Sequence, residues 1–221
     1  MRDIVLMADP RVGRIRVADN ADQLVDLGAA GFLIDERLAD PHGAFRQLRE
    51  GAAERLARAE KLLPVGLRLL VVEGYRPLEL QRKIFESYRE ELAQLNPEYS
   101  AEQLRTAASR YVSPPELAPH SAGSAIDLTL CDAEGRELDM GTPMNANPEE
   151  SGGQCYTEAA GISPEAAENR AILVEAMHSA GFVNYPTEWW HFSYGDRYWA
   201  LMSRLSEALY GQIEYHGPLD A

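Results

Sequence analysis

A chain of 221 residues, 45% hydrophobic and 25% charged, has the makeup of a folded protein with one substantial core. Its formal net charge of -14 and pI near 4.8 leave no extended basic surface to neutralise phosphates, so neither nucleic acid nor an anionic membrane is an expected partner. No apolar run approaches the roughly 20 residues of a bilayer-spanning helix.

The apolar run Ile4–Ala8 stops at Asp9, too short for a secretory leader, and Cys131 and Cys155 form no C-x-x-C pair. A soluble cytoplasmic protein is the expectation. Short apolar runs broken by charges and glycines fill the first forty residues. From Gly43 to Leu63, apolar residues at Phe45, Leu48, Ala52, Leu56, Ala59 and Leu63 have helical spacing, and Pro64 closes the segment. V-G-L-R-L-L-V-V-E-G-Y, bounded by Gly74 and Pro77, reads as a buried strand. Pro77 then suits the start of a helix with apolar residues at Leu80, Ile84, Tyr88 and Leu92. Ser100 and Gln103 make a capping box for another, ending near Tyr111.

In A-I-D-L-T-L, Ile126, Leu128 and Leu130 share one face of a strand, and Asp127 and Thr129 point away from that core side. Residues 135–161, rich in Gly, Pro, Asn and Glu, read as a long surface excursion of the kind that carries function. Ser163-Pro164-Glu165 opens a helix that Gly181 ends. The aromatic stretch F-V-N-Y-P-T-E-W-W-H-F-S-Y is strand-like, and Asp196 suits the cap of a last helix. Helices and strands mix without regular alternation, which favours the α+β class.

Only five histidines are present, and two fall in unusually composed segments: His120 in P-H-S-A-G-S-A-I-D and His191 in E-W-W-H-F. Two neutral imidazoles and a carboxylate make a catalytic zinc set, which His120, Asp127 and His191 would supply. Glu188, three residues before His191, is a candidate base for the proton of an attacking water. Residues i and i+3 of a regular strand face opposite ways, so Glu188 is expected in an irregular turn after Pro186, with His191 on the strand proper. Arg76, in the turn between a buried strand and a helix, is a candidate for holding an oxyanion or a carboxylate. Trp189 and Trp190 read as core or pocket wall.

The segments E-G-Y-R-P-L-E-L-Q (Glu73 to Gln81), H-S-A-G-S-A-I-D-L-T-L (His120 to Leu130) and E-W-W-H-F (Glu188 to Phe192) resemble the D-alanyl-D-alanine dipeptidases. These are zinc metallopeptidases sharing a superfold with D,D-carboxypeptidases, L,D-endopeptidases and the hedgehog signalling domain. The resemblance implies one zinc on His120, Asp127 and His191, Glu188 as general base and then acid, and Arg76 at the tetrahedral intermediate. It also implies a central antiparallel sheet flanked by helices, a cavity fit for a dipeptide, and Asn145, Tyr75 and Ser121 as substrate contacts. Three departures stand out. Ala118-Pro119 precedes His120 where the family often has serines; Asn145 stands where an acidic residue usually receives the substrate's amino group; and Val25 to Phe32 lacks the family's N-terminal Tyr and Asn-Phe cluster.

The expectation is therefore a single zinc peptidase domain over 1–221, with an N-terminal helical part (1–63) and a catalytic core (64–221). It would hydrolyse D-Ala-D-Ala or a similar small D-amino-acid dipeptide in cell-wall turnover, with a small peptide as its partner and no oligomeric state legible. The alternatives are a D,D-carboxypeptidase or L,D-endopeptidase acting on longer peptidoglycan peptides, and a zinc-containing binding domain without catalysis.

Overall fold

The structure is a computed structural model that describes residues 4–217. In chain order its elements are α1 (Pro10–Arg14), β1 (Arg16–Val17), β2 (Leu24–Asp26), β3 (Leu33–Ile34), β4 (Gln47–Arg49), α2 (Glu50–Leu62), β5 (Leu67–Glu73), α3 (Leu78–Leu95), α4 (Ala101–Ala108), β6 (Ala125–Asp132), α5 (Pro164–Ser179), β7 (Val183–Asn184), β8 (His191–Ser193), α6 (Arg197–Met202) and β9 (Glu207–Ala208). The main sheet has five strands in the order β3-β5-β6-β8-β7. Its pairs are antiparallel except at the β3 edge, where Leu33 and Ile34 run parallel to β5. The α+β class holds, with that one parallel pair added to the expected antiparallel sheet.

Cross-strand register sorts the sheet into two faces. Leu69 lies opposite Leu130, Val71 opposite Leu128, and Ile126 opposite Phe192, forming an apolar row. These residues share one core with Leu56 and Ala59 of α2 and Leu173 and Met177 of α5. The other face of β6 is not open to water: Asp127 and Thr129 are as buried as their apolar neighbours. α3 and α4 hold a second, smaller core of Phe85, Tyr88, Leu92, Ala108 and Val112.

The N-terminal part differs from the helical expectation. Helix α2 begins at Glu50, not Gly43, because Phe45 and Gln47 use their carbonyls to bind the backbone N–H groups of Gly74 and Tyr75. Residues 47–49 pair as β4 with β2, so tertiary hydrogen bonds override a pattern that is helical in sequence. β3 extends the main sheet, and so the first 63 residues complete the core instead of standing beside it.

The excursion over 135–161 is tied down at both ends. The guanidinium of Arg170, 2% exposed, donates to the carbonyls of Met140 (2.8 Å), Tyr156 (2.7 Å) and Gln154 (3.0 Å) and lies 5.6 Å from the Trp189 ring. Farther out, Glu149 accepts hydrogen bonds from Tyr88 of α3 and from Arg110, and the carbonyl of Asn145 accepts one from the Tyr111 hydroxyl at 2.9 Å.

Candidate active site

Three neighbouring strands place three polar side chains abreast on the second sheet face. Glu73 of β5 is opposite Asp127 of β6, which is opposite His191 of β8. His120 joins them from a tight turn, His120–Ala122, that leads into β6 through Gly123 in the left-handed region (φ 65°). That backbone conformation favours glycine, and a Cβ there would also push aside the Leu24 side chain. Buried Arg49 braces the same turn by donating from Nε to the Ala122 carbonyl at 2.9 Å.

His120 Nε2, His191 Nδ1 and Asp127 Oδ1 meet at 3.2, 2.9 and 3.3 Å from one another, and all three residues are at most 5% exposed. Ligand atoms of a tetrahedral zinc, at bond lengths of about 2.0–2.1 Å, are separated by roughly 3.3 Å, so the donor set has the spacing the ion requires. The ring of His120 is also oriented for it. Its Nδ1 lies 2.6 Å from the Gly74 carbonyl; with the proton there, Nε2 presents its lone pair to the site. Gly74 can take this post because its backbone presses against that of Gln47, where any Cβ would overlap the Gln47 carbonyl. Burial alone would raise the Asp127 carboxyl, yet the two imidazoles beside it hold it well below the usual carboxylate range. It stays ionised, as a zinc ligand must.

Glu188 lies in the turn between β7 and β8, and its Oε2 is 3.7 Å from His191 Nδ1. Its N–H binds the Tyr185 carbonyl and its carbonyl receives the His191 N–H, so the chain turns tightly enough for residues three apart to face the same cavity. Burial, with Asp127 nearby, pushes the Glu188 carboxyl well above its ordinary value.

Arg76 also lines this cavity, but its guanidinium is not free. Nε donates to Glu73 Oε1 at 2.8 Å, Nη2 donates to Glu73 Oε2, and Nη1 donates to Gln81 Oε1 at 2.9 Å. Gln81, 1% exposed, in turn donates to the Ser113 carbonyl at 2.7 Å. Burial opposes the charge on Arg76, but the paired Glu73 carboxylate keeps it firmly protonated. Glu73 and Gln81 lie within the quoted motif yet received no role from sequence. The available signal was a polar residue ending an apolar strand and a glutamine in the first turns of the next helix.

The cavity, about 340 Å3, is lined by His120, Asp127, His191, Glu188, Arg76 and Asn145 together. Trp190 forms part of its wall, whereas Trp189 is packed in the core with its Nε1 donating to Thr142 Oγ1 at 2.9 Å. Tyr75 and Ser121, expected at the substrate, are elsewhere. The Tyr75 ring meets Tyr215 edge to face and donates its hydroxyl to the Ile213 carbonyl at 2.8 Å. The Ser121 hydroxyl, fully buried, donates to the carbonyl of Arg76 at 2.9 Å, so it fixes backbone.

A buried His-Asp-His donor set beside an unligated glutamate and a clamped arginine defines a metallohydrolase site. The family model for D-ala-D-ala dipeptidases of the Peptidase M15 class matches residues 33–208. D-alanyl-D-alanine dipeptidases from Synechocystis and Escherichia coli are similar, at 29% identity over 78% of this chain and 79% of the relative, and at 32% over 66% and 65%. The corresponding enzyme of Enterococcus faecium shows 32% identity over 63% of this chain and 69% of its own length. Among solved structures, VanYB in complex with D-alanine-D-alanine aligns over 89% of this chain and 94% of its own, with a TM-score of 0.48 and 18% identity. The chain belongs to the Peptidase M15 D-Ala-D-Ala dipeptidase family.

Proposed function

We propose that this site hydrolyses D-Ala-D-Ala, or a closely similar small D-amino-acid dipeptide, in the turnover of cell-wall peptides. The observation that carries this is the convergence of the donor triad, Glu188 and Arg76 on one cavity of about 340 Å3, at the small end of the range for ligand sites. His120, Asp127 and His191 would hold zinc, which would supply Lewis acidity toward water and the scissile carbonyl.

The remaining work falls to the protein's own groups. Glu188, ionised, takes a proton from the attacking water and returns it to the leaving amine nitrogen, and its raised pKa suits both halves of that task. Arg76 turns its remaining N–H hydrogens toward the charge that grows on the carbonyl oxygen. Glu73 and Gln81 set the plane of its guanidinium before substrate arrives, which removes reorganisation from the reaction. Asn145 borders the same space and offers an uncharged acceptor to the substrate's amino end. The cytoplasm as the setting belongs to the same proposal, supported by Cys131 and Cys155, which are buried, unpaired thiols.

The test is hydrolysis by zinc-loaded protein of free D-Ala-D-Ala, N-acylated D-Ala-D-Ala and an L,D-linked stem peptide. Cleavage of the free dipeptide alone is expected. Preference for blocked or longer peptides would replace the dipeptidase assignment with a carboxypeptidase or endopeptidase one. Bound zinc with no cleavage of any would point to a binding domain.

The Arg76 clamp gives a second expectation. Gln81→Leu keeps the size of the side chain but frees Nη1, so kcat/KM should fall about 10- to 100-fold while zinc content stays at one per chain. Wild-type kcat/KM in this variant would show that Glu73 alone suffices.

A further inference from the structure

The catalytic cavity has a polar floor and an apolar mouth. On the floor, the three zinc donors and Glu188 are each at most 5% exposed. At the mouth, Leu80 and Ile84 project from successive turns of α3, and Leu38 and Val112 stand on the same lining. Val112 and Ile84 reach this lining from the second core, whereas the exposure of Leu80 departs from what the helical stripe led one to expect. The core side of α3 is Gln81, Phe85, Tyr88 and Leu92, whereas Leu80 remains 43% exposed and Leu38 38%. These leucines contribute to neither hydrophobic core on that side, and what they share is the cavity.

Volume points the same way. A dipeptide of two alanines has eleven non-hydrogen atoms and fills on the order of 150–200 Å3 at the packing density of protein interiors. About half of the 340 Å3 is then left over when D-Ala-D-Ala sits on the floor. Two methyl groups do not fill that remainder.

Given dipeptide hydrolysis at this site, we propose that Leu38, Leu80, Ile84 and Val112 form a side-chain subsite, so that the preferred substrates are D-amino-acid dipeptides carrying one apolar side chain larger than methyl. The subsite determines specificity and takes no part in the bond-breaking step. Removing a branched aliphatic side chain from water against such a rim favours its substrate over the alanine homologue by about tenfold, the low end for one or more added carbons in an apolar pocket.

The experiment compares kcat/KM of the zinc-loaded protein for D-Ala-D-Ala, D-Ala-D-Leu and D-Leu-D-Ala, in the wild type and in Leu80→Ser. The expected result is that one leucine dipeptide exceeds D-Ala-D-Ala by about tenfold and that Leu80→Ser lowers the leucine-to-alanine ratio by a similar factor. The ratio is taken within one preparation, so partial misfolding of a variant cancels. Faster cleavage of D-Ala-D-Ala than of both leucine dipeptides would overturn the subsite, as would a ratio unchanged by Leu80→Ser. If none of the three is cleaved, the dipeptidase assignment itself fails, and the subsite with it.

Discussion

Glu188→Gln is expected to bind zinc as the wild type does and to lose about 10^3- to 10^4-fold in kcat, with KM little changed. Glu188 is outside the donor triad, 3.7 Å from His191 Nδ1, so the amide removes a proton acceptor without removing a ligand. The variant keeps the shape and volume of the side chain, which limits the change in packing at a buried position. The pH profile supplies an independent check. A base works only when ionised, so wild-type activity falls as the pH drops through the pKa of Glu188. Burial and the neighbouring Asp127 raise that pKa, whereas Arg76 and the charge of a bound zinc lower it, so the position of the acid limb reports the balance of these on Glu188. In Glu188→Gln this limb should be gone from the residual activity. A kcat within a few-fold of wild type at normal zinc content would remove Glu188 as the base.

Removing the metal should cost the fold as well as the activity. Zinc binds the folded chain, and its three donors come from distant parts of the sequence, so occupancy stabilises the native state by mass action. At free zinc about a thousandfold above Kd this amounts to about 4 kcal/mol, and a chain of this size then melts roughly 10 °C lower after chelation. Asp127→Asn provides the control. The amide replaces the one anionic donor, zinc affinity falls, and the melting temperature should no longer respond to chelator. Thermal scans with and without chelator, with zinc measured by mass spectrometry, test this. An unchanged melting temperature on removal of one zinc per chain would show that the triad does not bear on folding.

Much of the site was legible because its chemistry is concentrated in short segments. His120, Asp127, His191, Glu188 and Arg76 all come from three motifs, and each lines the one cavity. The long elements were legible for the usual reason: α3 and α5 are long enough to show their period, and Ser100 and Asp196 cap helices as their sequence suggested. The N-terminal third was not, because β1, β2, β3 and β4 are two or three residues long and a strand of that length has no period to detect. Their pairing is decided by partners far along the chain, such as β9 for β1. The roles of Glu73 and Gln81 were hidden for a different reason. A carboxylate and an amide are common on any surface, and only the folded geometry shows that both converge on one guanidinium.

The pairing of Asp127 with His191 across β6 and β8 also bears on how the enzyme is made. These two donors are 64 residues apart in sequence, and His191 is the last of the three to be made. A ribosome adding about 5–20 residues per second takes on the order of 3–13 seconds to travel from one to the other. Throughout that interval the nascent chain carries His120 and Asp127 without their partner, an incomplete chelate exposed to whatever ions the surroundings offer. Tight and selective metal capture therefore follows the docking of β8 onto β6. A one-residue slip of β8 would turn the imidazole of His191 to the opposite sheet face. Retained zinc thus certifies correct strand register, and metal content measured on freshly made protein reports the fraction that folded properly.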